Sequence, residues 1–190
     1  MKKTVLVFGL ISGALMSAMM LATIPFVDRI GFDKGVIVGY TTMVLSFLLV
    51  FFGVRSYREN VGGGVITFGR ALAVGLLIAL VSCVCYVVTW EIIYFKLMPD
   101  FVNKYGAYVV EKARASGASE QAIQTQVEQM RQFKAMYDNP LMNAAITFLE
   151  PLPIALIFAL LSAAILRRKR KDNQESPPDS VALPTQRVVL

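Results

Sequence analysis

Two glutamates are the side chains in this sequence whose type and placement could do chemistry. Glu150 interrupts an apolar stretch, residues 141–166, and is followed at once by two prolines in "LEPLPIALIF". Glu91 directly follows another apolar stretch, residues 71–90. Ionisable groups in apolar segments long enough to cross a membrane are candidates for binding or moving protons and cations.

Helix geometry predicts that these two glutamates lie at the same depth. Glu150 lies 17 residues before Arg167, which is about 26 Å along a helix. Glu91 lies 21 residues after Arg70, which is about 32 Å. With both arginines at one boundary of a hydrocarbon layer about 30 Å thick, both acids reach the opposite edge. Two acids at one depth could share a proton or bind a cation.

The same residues also have a structural interpretation. Pro151 and Pro153 suit the first turn of a helix, where a missing N–H removes no hydrogen bond. Glu150 would then lie at or beside the N-cap, where free backbone N–H groups and the positive helix end favour a carboxylate. A nearby cation such as Arg29 could neutralise both acids as a structural clamp. We favour a structural role and keep ion or proton coupling as the alternative.

No other constellation in the sequence suits catalysis or metal binding. The chain has no histidine, the commonest metal ligand and the usual general base near neutral pH. Cys83 and Cys85 are two residues apart on a predicted helix, so they point to different faces and are expected to be reduced apolar fillers. The glycines of "VGGGVITFGRAL" lack the Gly-Lys-Ser/Thr of a phosphate-binding loop. We therefore expect a protein that is not an enzyme, with no catalytic residue, metal or cofactor.

The elements that must position the glutamates are predicted to be transmembrane helices. The chain has 190 residues, of which 56% are hydrophobic and only 17% are charged. About 20 apolar residues in a helix cross the hydrocarbon layer. Four such segments are predicted, at about residues 4–27, 36–54, 70–92 and 145–166. The first has an alternative interpretation as a cleaved signal peptide, although its apolar run of 24 residues is longer than a usual signal core.

The distribution of lysine and arginine predicts that both termini are cytoplasmic. With this orientation, the cytoplasmic side has eleven Lys and Arg residues and the outer side eight, six of them in the long third connection. The formal net charge of +6 then reflects membrane topology, and nucleic-acid binding is not needed to explain it. Five consecutive cations follow the last span and are expected to contact lipid headgroups: Arg167, Arg168, Lys169, Arg170 and Lys171.

The third connection is predicted to be an extracytoplasmic helical hairpin, at about residues 100–138. Asp100 is a suitable N-cap for its first helix, and Ser119 starts the second. We expect their apolar stripes to face each other in an antiparallel pair, or each helix to lie flat on the membrane surface. The stripes are Phe101, Tyr105, Tyr108 and Val109 on the first helix, and Ile123, Val127, Met130, Phe133 and Tyr137 on the second.

Small residues recur every four positions in two of the spans. The first contains Gly9, Gly13 and Ser17, and the fourth contains Ala155, Ala159 and Ala163. Small side chains let helix backbones approach closely in lipid, so these stripes predict packing seams, either within one bundle or between subunits. Residues 172–190 are rich in proline, serine and polar side chains, which predicts a disordered cytoplasmic tail after a membrane domain of residues 1–171.

Three motifs together resemble a known family. They are "FGRAL" at the start of the third span, "PDFVNKY" at the start of the hairpin and "FLEPLPIALIFALLSAAILRRK" in the fourth span. Over residues 3–171 the chain resembles a bacterial membrane family catalogued as domain of unknown function family 4199. The resemblance implies a multi-pass protein of the bacterial inner membrane with no established activity, and it brings no catalytic residues.

The sequence therefore predicts an all-α membrane protein with four transmembrane helices and a hairpin between the third and the fourth. We expect a non-enzymatic interaction or accessory protein in the lipid bilayer of the inner membrane. Its partner would be a second copy of itself or another membrane protein. The alternative is a subunit of a proton- or cation-coupled transporter or channel that uses Glu91 and Glu150.

Overall fold

The computed structural model describes residues 1–168, and only the backbone at Asp28. Within this part of the chain every element is helical apart from one isolated β-bridge, which confirms the predicted all-α class. The helices are α1 (Lys2–Thr23), α2 (Val27–Asn60), α3 (Phe68–Ile92), α4 (Phe101–Ala115), α5 (Glu120–Tyr137), α6 (Pro140–Leu149) and α7 (Leu152–Leu166).

Four helical segments are long and apolar enough to cross a membrane, as predicted: Lys2–Phe26, Arg29–Asn60, Phe68–Leu97 and Pro140–Leu166. In such segments the backbone satisfies its own hydrogen bonds, which lipid cannot do. Three spans exceed the predicted lengths noticeably. The second begins seven residues earlier than predicted, because a single 3-10 turn at Ile24–Phe26 leads directly into α2. The third continues through a π-helical turn at Ile93–Leu97, and the fourth includes α6.

Glycine makes the sharp entry into α2 possible. Gly31 has φ 72° and ψ 164°, which interrupts helical geometry near the start of the helix. Residues with a side chain rarely adopt this conformation. The axis of the first turn of α2 can therefore point in a different direction from the axis of the long helical segment that follows it.

Helix α3 is central in the bundle and packs against α1, α2, α6 and α7. The two predicted seams are used inside this bundle. A Cβ atom added at Gly9 would lie 2.7 Å from Cβ of Val81 on α3. On the other side of α3, a Cβ atom added at Gly75 would lie 3.3 Å from Cα of Ala159 on α7. Small residues thus allow α1 and α7 to approach α3 closely.

Buried hydroxyl groups connect the same helices. Ser12 of α1 donates to the carbonyl oxygen of Ser46 on α2 at 2.9 Å. Ser82 of α3 donates to the carbonyl oxygen of Gly9 at 3.2 Å. Hydrogen bonds between helices supplement packing in lipid, where the hydrophobic effect does not drive helices together.

Helices α4 and α5 pack against each other as a pair, which we call the hairpin. Ser119 is the N-cap of α5, as predicted, and its side chain accepts from the N–H of Ala122. Asp100 is the N-cap of α4, but its side chain accepts no capping hydrogen bond. The bundle end beside the hairpin is called the hairpin end, and the opposite one the loop end.

The prediction that the two apolar stripes face each other along the hairpin was wrong for α4. Its aromatic rings surround Phe32 of α2 instead, with centroid distances of 5.9 Å to Phe101, 5.3 Å to Tyr105 and 5.2 Å to Tyr108. The close approach between α4 and α5 is at Gly106, where an added Cβ atom would lie 3.5 Å from Cβ of Met130. The reason is that α2 extends far enough towards the hairpin for Phe32 to contact these rings in place of the apolar residues of α5.

At the loop end, α7 is joined to the α2–α3 connection. Ile66 and Arg168 form an antiparallel β-bridge with hydrogen bonds of 3.0 and 2.9 Å. The connection turns through Gly63 and Gly64, both with positive φ. Arg167 and Arg168 are exposed. The predicted tail lies outside the described residues, as do three of the predicted headgroup contacts, Lys169, Arg170 and Lys171.

Candidate functional site

A cavity of about 370 Å³ lies at the hairpin end of the bundle. Methionines of α1 line one side, and the first half of α2 lines another. The hairpin covers the cavity through aromatic residues of both its helices. Lining residues that matter below are Met16, Met20, Phe101, Tyr105, Phe133 and Tyr137.

The cavity is open on the α2 side. Gly35, Val36, Gly39 and Tyr40 all line it and are exposed. A Cβ atom added at Gly35 or Gly39 would meet nothing within 4 Å. Because this stretch belongs to a span that crosses the membrane, the opening gives access from the side of the bundle.

Glu150 lies in the wall of this cavity. It is the C-cap of α6 and immediately precedes Pro151, the N-cap of α7. Glu150 therefore lies beside that N-cap, as the structural interpretation predicted, but its side chain makes no capping hydrogen bond. Tyr86 of α3 donates a hydrogen bond of 2.8 Å from its hydroxyl group to Oε2 of Glu150. Glu150 is exposed, and within the described residues Oε1 has no hydrogen-bond partner. This oxygen is available to a molecule in the cavity.

Glu91 occupies a different place. Its Oε1 atom is buried and has no hydrogen-bond partner, and the residue does not line the cavity. Among residues 1–168 no hydrogen bond joins Glu91 to Glu150, and neither forms an ion pair with Arg29 or another cation. The structure therefore does not bring the two acids into a shared-proton pair or a clamp.

A chain of polar contacts attaches the hairpin to the bundle. Nε1 of Trp90 donates to the hydroxyl oxygen of Tyr137 at 3.1 Å. That hydroxyl lies 3.3 Å from the hydroxyl of Thr147, which donates to Oδ1 of Asn143 at 3.1 Å. Asn143 in turn donates to the backbone carbonyl oxygen of Tyr137 at 3.0 Å. Asn143 and Thr147 are buried, so this network satisfies polar groups that would otherwise be costly.

Burial raises the pKa of the Tyr137 phenol. The hydrogen bonds with Thr147 and Trp90 oppose this rise, and the charges of Glu150 and Glu91 add a smaller upward contribution, so the pKa of Tyr137 lies above its ordinary value. A phenol with a raised pKa keeps its proton at neutral pH. Since the hydroxyl proton of Thr147 goes to Asn143, the proton of Tyr137 is free to be donated to Thr147. The network is therefore fully protonated and neutral around the aromatic wall of the cavity.

Asp138 provides a second attachment at the end of α5. Lys134 donates to Oδ2 of Asp138 at 2.6 Å, and Tyr94, in the π-helical turn that continues α3, donates to Oδ1 at 2.7 Å. The hydrogen bond from Lys134, followed by that from Tyr94, lowers the pKa of Asp138 below its ordinary value. The carboxylate thus connects the hairpin to α3 in its charged form.

Sequence reasoning missed most of the residues that form this site. Tyr137 was assigned to the interface within the hairpin, yet its hydroxyl group accepts a hydrogen bond from Trp90 of α3. Asn143 and Thr147 carry a recognisable signal, because polar residues four positions apart in an apolar helix share one face. Tyr86 gave no such signal, since a single tyrosine in an apolar span is common at the membrane interface.

The arrangement suits binding of a molecule with an apolar body. Ligand cavities of about 300–1,000 Å³ are typically lined by apolar and aromatic side chains with a few polar groups that set orientation. Here the polar groups include Tyr86, Tyr137 and Glu150. Within residues 1–168, no group of three or more His, Cys, Asp or Glu residues is arranged to hold a metal ion.

Comparison with known proteins identifies a family. The family described as protein of unknown function (DUF4199) matches residues 7–168, nearly the range over which the motifs resembled it. No curated protein and no solved structure matches the chain. Because the family match extends over most of the chain, the protein belongs to the DUF4199 family of proteins of unknown function.

Proposed function

We propose that this membrane protein is a non-enzymatic interaction or accessory protein that holds a molecule with an apolar body in the hairpin-end cavity. The observation that carries the proposal is the cavity itself, which is walled by methionine and aromatic side chains and covered by the hairpin. Methionine side chains are flexible and polarizable, so they adapt to ligands of irregular shape.

The opening along α2 supports entry from the bilayer. Gly35 and Gly39 present no side chain there, and Val36 and Tyr40 are exposed beside them. An apolar molecule concentrated in the membrane could enter through this opening without crossing the hairpin. The hairpin would keep the ligand from water on the other side.

The proposed setting is the inner membrane of a bacterium, with both termini cytoplasmic and the hairpin on the outer face. The excess of Lys and Arg near the loop end supports this orientation. Arg167 and Arg168, both exposed, would contact lipid headgroups on the cytoplasmic side. A tag at residue 117 that is accessible in intact spheroplasts, and a C-terminal tag that is not, would support the orientation. The reverse pattern would exclude it.

A second copy or another membrane protein would need a surface other than the two small-residue seams. These seams support α1–α3 and α3–α7 packing within one chain. The proposal therefore assigns partner binding to the hairpin and leaves the opening along α2 to the ligand. It involves no nucleic acid.

The proposal can be tested with the chain's one tryptophan, Trp90, which lines the cavity. The full-length protein in phosphatidylcholine nanodiscs is titrated with triphenylphosphine oxide, a neutral probe with an apolar body and one polar P=O group, while Trp90 emission is recorded. We expect a saturable change that is abolished by Gly39→Leu, which fills the opening. Gly69→Leu is the matched control, because Gly69 is also exposed and free of neighbours but lies outside the cavity.

A non-saturable change that is the same in both variants and in the wild-type protein would contradict the proposal. It would mean that the probe only dissolves in the bilayer. Gel filtration of each variant checks that the substitutions leave the fold intact.

A second candidate is a subunit of a proton- or cation-coupled transporter or channel. The hydrogen bond from Tyr86 to Glu150 favours it, because it positions an ionisable group in a cavity within the bundle. The buried, unpaired oxygen of Glu91 is the second ionisable position. Four helices are few for a transporter, so this candidate requires an oligomer. Proton-dependent flux in liposomes that is lost in Glu150→Gln would support it, and no flux in the wild-type protein would exclude it.

A further inference from the structure

We propose that the hairpin-end cavity selects a lipophilic monocation, an apolar body carrying one positive charge and no anionic group, through the carboxylate of Glu150. This inference rests on the proposed function and adds the chemical class of the ligand. It follows from the charge of the lining, from the position of Glu150 and from the aromatic wall.

The charge of the lining comes from one residue. Among the described residues that line the cavity, Glu150 is the one with a charged side chain, and the others are apolar, aromatic or neutral polar. An apolar environment makes a lone carboxylate costly unless it is paired. A monocation in the cavity supplies the missing charge, and its apolar body fills the rest of the volume.

The hydrogen bond from Tyr86 orients the carboxylate for this purpose. It engages Oε2 at 2.8 Å, whereas Oε1 of this cavity-lining residue has no hydrogen-bond partner among the described residues. Tyr86 donates and so can stabilise the charged form of Glu150 without neutralising it. Tyr86 is therefore a positioning residue for the proposed ligand, and Glu150 is its direct partner.

Aromatic side chains next to Glu150 favour the same ligand class. Trp90 and Tyr137 line the cavity with their rings and are fixed by their mutual hydrogen bond. Cations are attracted to the faces of such rings, tryptophan most strongly. Together with one carboxylate, the rings suit an organic cation whose charge is shielded by apolar groups.

A phospholipid with an amine headgroup fits these residues less well than a simple lipophilic cation does. Its phosphate would bring a negative charge next to Glu150, and no lysine or arginine is present in the described lining to balance it. A cavity of about 370 Å³ also suits a compact molecule, at the lower end of the usual range for ligand sites.

The test compares two probes of the same shape and opposite charge, tetraphenylphosphonium and tetraphenylborate. Both are titrated against full-length protein in phosphatidylcholine nanodiscs, with Trp90 emission as the signal and empty nanodiscs as the blank. The wild-type protein should bind the cation and not the anion in a saturable way. Glu150→Gln should weaken cation binding by about tenfold or more, as expected for the loss of a charged hydrogen-bonding partner.

Two further variants separate a direct contact from a general effect of charge. Tyr86→Phe keeps the carboxylate but removes its orienting hydrogen bond, and cation affinity should fall about threefold, less than in Glu150→Gln. Glu91→Gln removes an acid from the same end of the bundle but outside the lining, and cation affinity should change less than twofold. Equal losses in Glu150→Gln and Glu91→Gln would overturn the inference.

The outcomes also distinguish this inference from the proposed function. If the neutral probe binds and is blocked by Gly39→Leu while Glu150→Gln leaves cation affinity unchanged, the ligand class is wrong and the cavity function stands. If no probe binds, both fail. Phosphatidylethanolamine that co-purifies at one molecule per chain and competes with the cation would identify a lipid as the occupant and overturn the inference. A dimer that dissociates in Gly39→Leu would show that a second copy of the chain occupies the opening, and would also overturn the inference.

Discussion

The two halves of α2 have opposite surroundings. In the half towards the loop end, Phe47, Val50 and Val54 are fully buried against α1, α3 and α7. In the half towards the hairpin end, no residue between 29 and 41 is buried. One helix is thus part of the core over one stretch and the wall of an open cavity over the other.

The difference lies in what each half meets. Gly53 is buried, and a Cβ atom added there would lie 2.5 Å from Cδ1 of Ile78 and 3.0 Å from the ring of Phe8. Gly39 in the other half would meet nothing. Glycine therefore marks close helix packing in one half and empty space in the other, so a small residue in an apolar span does not by itself identify a packing seam.

The hairpin packs against the half of α2 that lines the cavity and stabilises it. Phe32 contacts three aromatic rings of α4, and Lys112 forms a 2.9 Å ion pair with Asp33. The hairpin is itself attached to α3 and α6 through the network around Tyr137 and Asn143. This order of dependence predicts that disturbing the hairpin loosens one half of α2 and leaves the other unchanged.

The largest effect on stability is expected from placing a side chain at Gly53, where α2 packs closely against its neighbours. Gly53→Leu forces a side chain into the packed half of α2, and overpacking of this kind should cost about 3 kcal/mol of unfolding free energy. Thermal or SDS-induced unfolding in detergent measures the loss. Gly39→Leu, the same substitution in the other half, should leave stability nearly unchanged. Equal losses in both variants would show that the two halves do not differ as described.

The next effect concerns the attachment of the hairpin. Asn143→Ala removes two hydrogen bonds of a buried residue and leaves the carbonyl group of Tyr137 without its partner, which should cost about 2 kcal/mol. Hydrogen exchange should become faster in α4, in α5 and in residues 29–41. It should stay slow in residues 44–57. Asn103→Ala is the control, since Asn103 is exposed and bonds only to Asp100.

A smaller effect is expected at the contact between α2 and α4. Phe32→Ala removes the ring contacts with α4, and aromatic contacts of this type contribute about 1 kcal/mol. Hydrogen exchange should become faster in residues 29–41 alone, with the hairpin still attached to α6. Phe26→Ala is the control, because Phe26 is half exposed and belongs to the preceding turn. Faster exchange throughout the hairpin would instead mean that Phe32 holds the hairpin and not the reverse.

The smallest effect depends on pH. Lys134 and Tyr94 lower the pKa of Asp138 below 3.8, so the charged carboxylate stabilises the folded state above about pH 4. This contribution is lost as the pH falls through the lowered pKa. Because the side chains of Lys134 and Asp138 are partly exposed to solvent, it should be under about 1 kcal/mol.

The pKa of Asp138 can be followed by NMR of its labelled carboxyl carbon. Lys134→Met should move that pKa upwards, towards 3.8. Gln132→Met on the same helix should leave it unchanged. A pKa that stays low in Lys134→Met would assign the whole shift to the hydrogen bond from Tyr94.

Much of the architecture could be read from local sequence, and the failures have specific physical causes. Ser119 was predicted correctly as the N-cap of α5, because capping depends on adjacent residues. Glu150 lies beside the N-cap of α7 as predicted, but Pro151 is that N-cap and not a first-turn residue, and no side chain caps the helix. The partner of the α4 stripe was wrong, because Phe101, Tyr105 and Tyr108 found a ring on α2 that is some 70 residues earlier in the chain. When two apolar surfaces are available to an apolar stripe, the sequence of the stripe does not reveal which of them it packs against.

The pairing of Glu91 with Glu150 is the most instructive case. Depth along the membrane follows from residue counts, because a helix rises a constant distance per residue. Rotation about the helix axis does not, since the helices can turn against one another until their surfaces fit. The acids were correctly sought at one end of the bundle, yet Glu150 faces a cavity and bonds to Tyr86, while Glu91 does not line it.

The membrane environment and the four spans follow from composition alone, because about 20 apolar residues in a row are stable across lipid only as a helix that satisfies its own backbone hydrogen bonds. The start of α5 at Ser119 follows from adjacent residues, since capping is local. Which glycines touch a neighbouring helix, where the hairpin packs, and the contact between Tyr86 and Glu150 are features of the tertiary fold. Those features depend on the rotation and separation of helices far apart in the chain, and surface complementarity between whole helices sets both.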